Sequence, residues 1–288
     1  MPFSARRCAA ALLLFFPLAC QRGETERDGP TETVAPTETA AVLARRLSPL
    51  LRGVWVRAEY LETLQRTRSP QAAAGQLRDI VALAINPARR AGDSLLVETN
   101  LNNHEAGQFM LYFRPGRKAA SLPTSRVDYD REGGFYELAY VTSGTDTTLQ
   151  YQHFNKREKP LETLSFRRVR GLTAAPGATA EAVQRVANAV LAGSYTALDS
   201  AGRRSRVRLR PDGTVQGLPG VRSFRLATDF AQTLANDRDN LLLNPGSKRP
   251  QLCTYTLRGD TLRLYAARIV EPELRQGHLR YTLVRQRP

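Results

Sequence analysis

Leu51-Arg52-Gly53-Val54-Trp55-Val56 closes one kind of structure and opens another. Ahead of it, Thr39 to Leu51 sets Ala, Val and Leu at helical spacing; from Val54 onward the chain turns β-branched and aromatic. The same join recurs in the second half. There Thr179 to Leu191, with Val183, Val186, Ala187, Val190 and Leu191 on one helical face, runs into Ala192-Gly193-Ser194-Tyr195-Thr196. A second echo follows each join. Gly92-Asp93-Ser94-Leu95-Leu96-Val97 is matched by Gly259-Asp260-Thr261-Leu262-Arg263-Leu264, a turn feeding an alternating strand in both cases. The pattern is of two similar halves, each a short helix followed by strands.

Between these landmarks the strand signal dominates. In the first half it covers 54–60, 80–85, 94–100, 108–114, 124–129, 135–142, 147–153 and 161–169. A short helix from Gln71 to Asp79 starts behind Ser69-Pro70. The second half carries strands at 194–198, 204–210, 213–217, 221–227, 241–244, 252–257, 261–266 and 278–285. Short antiparallel strands about ten residues apart, joined by Gly, Asp, Asn and Pro, predict two tandem barrels or sandwiches. Gly171, Pro176 and Gly177 divide them, giving domains at 39–171 and 172–288.

Gly53-Val54-Trp55 on a first strand behind a short helix resembles the Gly-X-Trp opening of lipocalins. In that family an arginine near the end of the barrel packs over the tryptophan, and here the resemblance assigns that place to Arg167, Arg168 or Arg170. Gly193-Ser194-Tyr195 with Arg285 resembles a second copy with Tyr for Trp. The resemblance implies a mainly β fold of two lipocalin-like barrels and the binding of small apolar molecules or a structural role. It is also similar to the lipocalin-like lipoproteins of bacterial envelopes.

The N-terminus reads as an address. Arg6 and Arg7 precede an apolar run from Ala9 to Ala19, too short for a bilayer span of about 20 residues and shaped like a cleavable export signal, residues 1–19. The run ends Phe16-Pro17-Leu18-Ala19-Cys20, which resembles a bacterial lipobox. That resemblance implies a diacylated Cys20, a membrane anchor, and, with Gln21 rather than Asp after the cysteine, the outer membrane. Residues 20–38, rich in Glu, Thr, Pro and Gly and without apolar periodicity, read as a tether.

Composition narrows the chemistry. The 288 residues are 42% hydrophobic and 24% charged, enough apolar material for a core, so wholesale disorder is excluded. Three cysteines exclude a disulfide scaffold and a four-cysteine zinc site. The net charge of +15 is almost all arginine, since Lys118, Lys156, Lys159 and Lys248 are the only lysines. With Ile80, Ile85 and Ile269 the only isoleucines, this is the signature of a GC-rich coding sequence rather than of nucleic-acid binding.

No nucleophile elbow, phosphate loop, dinucleotide fingerprint or Cys-X-X-Cys occurs, so the expectation is a non-catalytic protein without a cofactor. The aromatic strand Gln108 to Arg114 makes Phe109, Tyr112 and Phe113, with Trp55 and Tyr140, the candidate lining of a cavity for a small apolar or amphipathic ligand. His104 and Glu105 in a polar turn, with His153 on a later strand, are the candidate ligands for a divalent metal and a hydrolytic alternative. Asp128 and Asp130 read as a solvated carboxylate pair, and Cys253 as a buried small hydrophobe. The strongest charge feature is the row Arg203, Arg204, Arg206, Arg208 and Arg210. From Gly171 onward there are 18 basic and 9 acidic residues, against 17 and 13 for 53–170. A basic face on the second half, centred on Arg204, Arg206, Arg208 and Arg210, is the candidate dock for an anionic envelope partner.

Overall fold

The computed structural model describes residues 39–286 except 119, 145, 231–237 and 271–272. The signal, the tether and Cys20 lie outside the described residues. Among the described residues no helix is long and apolar enough to cross a membrane.

Helix α1 (Ala40–Leu51) starts at Thr39, whose side chain accepts the Val42 N–H, and buries Leu43, Ala44, Leu47 and Leu51 on one face. It delivers the chain into β1 (Gly53–Arg57). Seven more strands follow: β2 (Ile80–Ala91), β3 (Ser94–Leu101), β4 (Glu105–Tyr112), β5 (Ser121–Val127), β6 (Phe135–Ser143), β7 (Asp146–Phe154) and β8 (Pro160–Val169). Each pairs antiparallel with the next, and β8 returns to β1 with Trp55 opposite Arg168, so the barrel is closed. Closure leaves no free edge.

The expected strand at 54–60 ends early. Its last residues belong to α2 (Ala58–Thr67), which buries Tyr60 and Leu64. The expected helix from Gln71 to Asp79 is shorter too: α3 (Pro70–Ala73), capped by Ser69, passes into a 3₁₀ turn at Ala74–Gln76.

Helix α4 (Ala178–Ala189) opens the second half. Behind it come β9 (Gly193–Asp199), β10 (Arg204–Leu209), β11 (Val215–Gln216), β12 (Phe224–Leu226), β13 (Asn240–Leu243), β14 (Gln251–Arg258), β15 (Thr261–Val270) and β16 (Glu273–Arg285). They form one antiparallel sheet in the order β11-β10-β9-β16-β15-β14-β13-β12. Its two ends, β11 and β12, meet at a single bridge between Thr214 and Ser223, backed by the Val215 N–H to Arg222 carbonyl bond (2.9 Å). The sheet therefore curls nearly shut but lacks the full ladder that seals the first barrel.

Three apolar clusters hold the fold. One fills the first barrel with Trp55, Leu83, Phe109, Phe113, Tyr151 and Phe166, topped by the buried face of α1. A second fills the curl of the other sheet, from Tyr195 to Leu283. The third joins the halves. Val54, Val56, Val81 and Ala84 on the outer face of β1 and β2 pack with Tyr60 and Leu64 of α2 and with Ala178, Ala182 and Val183 of α4. Polar contacts add to this joint: Asn103 Nδ2 donates to the Thr228 carbonyl (2.9 Å), Arg68 to the Gly259 carbonyl (3.0 Å), and the Gln71 N–H to Asp239 Oδ1 (3.0 Å). Glu38–Pro288 is one compact unit.

Candidate functional site

The two helix-to-strand joins are built alike. Trp55 is fully buried and donates its indole N–H to the Leu51 carbonyl at 2.9 Å. Arg168 lies over its ring at 4.5 Å and donates to the Leu50 carbonyl, clamping the C-terminus of α1. Gly53, at φ +138°, lets the guanidinium stem approach; a Cβ there would meet Arg168 Cδ at 3.3 Å. In the second half, the Tyr195 hydroxyl donates to the Leu191 carbonyl at 2.7 Å. Arg285 lies 5.1 Å above the Tyr195 ring and donates to the Ala192 carbonyl (2.9 Å) and to the Tyr195 hydroxyl (2.8 Å). Of the three arginines considered for the first clamp, Arg168 takes the place, because β8 turns it inward while Arg167 faces out to Glu62 (2.7 Å).

The expected ligand lining divides. Trp55, Phe109 and Phe113 are at most 3% exposed and belong to the core that fills the first barrel. Tyr112 is on the other face of β4, under the Arg114 guanidinium at 5.2 Å. Tyr140 lies at the α1 end, where a recess of about 310 Å³ is lined by Tyr140, Asp146, Thr147, Arg167, Arg168 and Arg170. The five aromatics thus do not share one cavity wall. In the second half, the apolar space inside the curl amounts to about 10 Å³, at most the room of a single water.

The expected metal triad is not assembled, which corrects the reading of His104, Glu105 and His153 as joint ligands. His104 and Glu105 contact each other at the β3–β4 turn (3.3 Å). His153 instead reaches Asp128 Oδ2 at 2.9 Å and stacks on Tyr136, ring centres 4.3 Å apart. Among the described residues no group of three His, Cys, Asp or Glu side chains is placed to hold a metal ion. Asp128 is therefore not a solvated carboxylate. Burial opposes its ionisation, but the Asp130 and Arg131 N–H groups and His153 outweigh that and hold its pKa below the usual value. The stack continues from Tyr136 to Tyr151 (5.2 Å) and Phe109 (5.6 Å), with Arg126 over Tyr136 and Tyr151. It closes the end of the barrel opposite α1. His153 is thus held between Asp128 and the Tyr136 ring, and among the described residues no serine, threonine or cysteine side chain is hydrogen-bonded to it.

Two other buried groups are structural. Asp239 accepts the Gln71 N–H at the start of α3, with Tyr60 and Tyr255 facing it. Burial pushes the Asp239 pKa up, against the opposing bonds from Ser69, Gln71 and Tyr255. Cys253 is fully buried in the second core, and burial raises its thiol pKa, the state of an inert thiol.

The arginine row is where the second half differs most from a closed surface. Along β10, Val207 and Leu209 point into the core while Arg204, Arg206 and Arg208 are exposed. The strand is second from the end of the sheet, paired with β9 along its length and with β11 at Arg208 and Leu209. Among the described residues, Arg204, Arg206 and Arg208 form no ion pair with Asp or Glu, whereas Arg203 is held by Asp199 (2.8 Å) and Arg210 leans on Gln216. A shallow groove of about 400 Å³ runs past Ser194, Arg206, Arg208, Gln216 and Gln286. Unpaired guanidinium groups beside amide and hydroxyl side chains suit carboxylate or phosphate oxygens.

No known protein family, curated protein or solved structure matches the chain.

Proposed function

We propose that this chain is a lipid-anchored protein of the bacterial envelope that docks on an anionic partner, without catalysis, through the arginine face of its second half. The observation that carries the reading is the set of three exposed, unpaired arginines on β10. The address at the N-terminus, with acylation at Cys20 and the outer membrane as destination, supports the envelope part. The paired openings, Trp55 under Arg168 and Tyr195 under Arg285, support a tandem lipocalin-like arrangement. Ligand storage inside the barrels has less support, since Trp55, Phe109 and Phe113 are core residues. The folds then serve as rigid supports for an outer face.

The test is binding of the compact unit from Glu38 to Pro288 to a soluble polyanion such as polyphosphate, followed by titration with salt. Binding is expected to weaken steeply with ionic strength and to be lost in R206E/R208E, with the melting temperature unchanged. Equal binding by that variant would reject the reading.

A further inference from the structure

The outer face of the second sheet is not only basic. Cross-strand pairing sets Arg204 beside Leu198, Leu198 beside Thr282, and Thr282 beside Arg263. The adjacent row runs Arg206, Thr196, Val284, Thr261. Leu198 is 41% exposed and Val284 44%, although both sit in the middle of a sheet. Their inward neighbours Ala197 and Leu283 are buried, so the exposure belongs to the outer face. No outward position in these two rows is acidic. With strands about 4.8 Å apart, the rows span roughly 14 Å from Arg204 to Arg263.

A soluble polyanion would need the arginines alone; it gives no reason for aliphatic side chains between them. A second copy of the chain would set arginine against arginine. A bilayer surface matches both parts, because headgroup phosphates take guanidinium groups while the layer just beneath takes aliphatic side chains. From the anionic-partner reading above, on which this step rests, we infer that the partner is the anionic lipid surface itself, engaged by the face Arg204–Leu198–Thr282–Arg263 and Arg206–Thr196–Val284. Acylation at Cys20, as proposed above, would bring the chain to the same kind of surface.

The experiment is co-sedimentation of the compact Glu38–Pro288 unit with vesicles of phosphatidylcholine alone or with 30% phosphatidylglycerol, run beside the polyphosphate assay. Binding to the anionic vesicles alone is expected. R206Q/R208Q should lower the partition about thirty-fold, and L198S/V284S roughly ten-fold while leaving polyphosphate binding unchanged. A melt of each variant confirms that it is folded; should L198S/V284S melt early, the milder L198T/V284T takes its place. Polyphosphate binding without vesicle binding, or vesicle binding indifferent to both aliphatic variants, would overturn the lipid assignment and leave the anionic-partner reading standing. Failure to bind either would remove both.

Discussion

Arg168 carries the most concentrated stabilising role in the first barrel. It stacks on a fully buried indole, donates to the Leu50 carbonyl at the end of α1, and packs its stem along Gly53. Truncation to alanine removes all three. The cation–π contact over Trp55 contributes about 1 kcal/mol or more. The charged bond to a helix-terminal carbonyl contributes about 1 kcal/mol after allowance for its partial exposure, and the helix dipole about 0.5 kcal/mol. The expected loss for R168A is therefore about 2–3 kcal/mol, read from the urea midpoint by tryptophan fluorescence, since Trp55 is the sole tryptophan. R168K keeps the charge but not the planar group, so it should recover less than half. A double-mutant cycle with W55F, followed for all four proteins by circular dichroism because W55F has no tryptophan, should show coupling near 1 kcal/mol. A loss below 0.5 kcal/mol for R168A, or full recovery by lysine, would refute the clamp.

Three further outcomes follow from other contacts. Gly217 sits at φ +81° with an added Cβ only 1.8 Å from the Arg206 carbonyl oxygen; G217A should cost more than about 2 kcal/mol and speed amide exchange along β10 and β11. Asp128 titrates below its ordinary value in the folded state, so its contribution is present above the unfolded pKa near 3.8 and lost as pH falls through the lower folded value. Melts between pH 5 and pH 2 should therefore be steeper for wild type than for D128N. Asp239 has the opposite sign. Its raised folded pKa means stability grows as pH drops through that value toward the unfolded pKa near 3.8, and D239N should flatten this trend and be no less stable than wild type at pH 7, while D239A loses the Gln71 bond and about 1 kcal/mol.

Much of the strand layout was legible because alternation and turn chemistry are local. Gly92-Asp93 and Gly259-Asp260 mark hairpins, and β3 and β15 begin directly after them. Helix α2 was not legible. It starts at Ala58 against a β-branched strand, without a side-chain cap, and it is its Tyr60 and Leu64 packing in the cluster with α4 that rewards the helix. The site was harder still. Alternation identifies Phe109 and Phe113 as inward but does not tell a filled core from a cavity wall. His153 finds Asp128 only because β5, β6 and β7 lie side by side, a relation that sequence spacing does not encode. The arginine row was visible because charge and alternation coincide there. Its aliphatic companions Leu198 and Val284 were not, since each is one apolar residue on a separate strand until pairing sets them among arginines.

The third apolar cluster bears on how this chain is dissected. The stretch from Gly171 to Gly177 looks like a place to cut, yet α4 beyond it covers Val54, Val56 and Val81 on the first barrel's wall. A fragment ending there would keep all eight barrel strands and expose an aliphatic strip that water cannot solvate, so it would self-associate at a closed barrel's side rather than at a strand edge. The reciprocal fragment would carry a helix with Ala182 and Val183 bare. Each half is thus the other's solubility factor, and insertion of a flexible loop at the apparent linker should be better tolerated than separation.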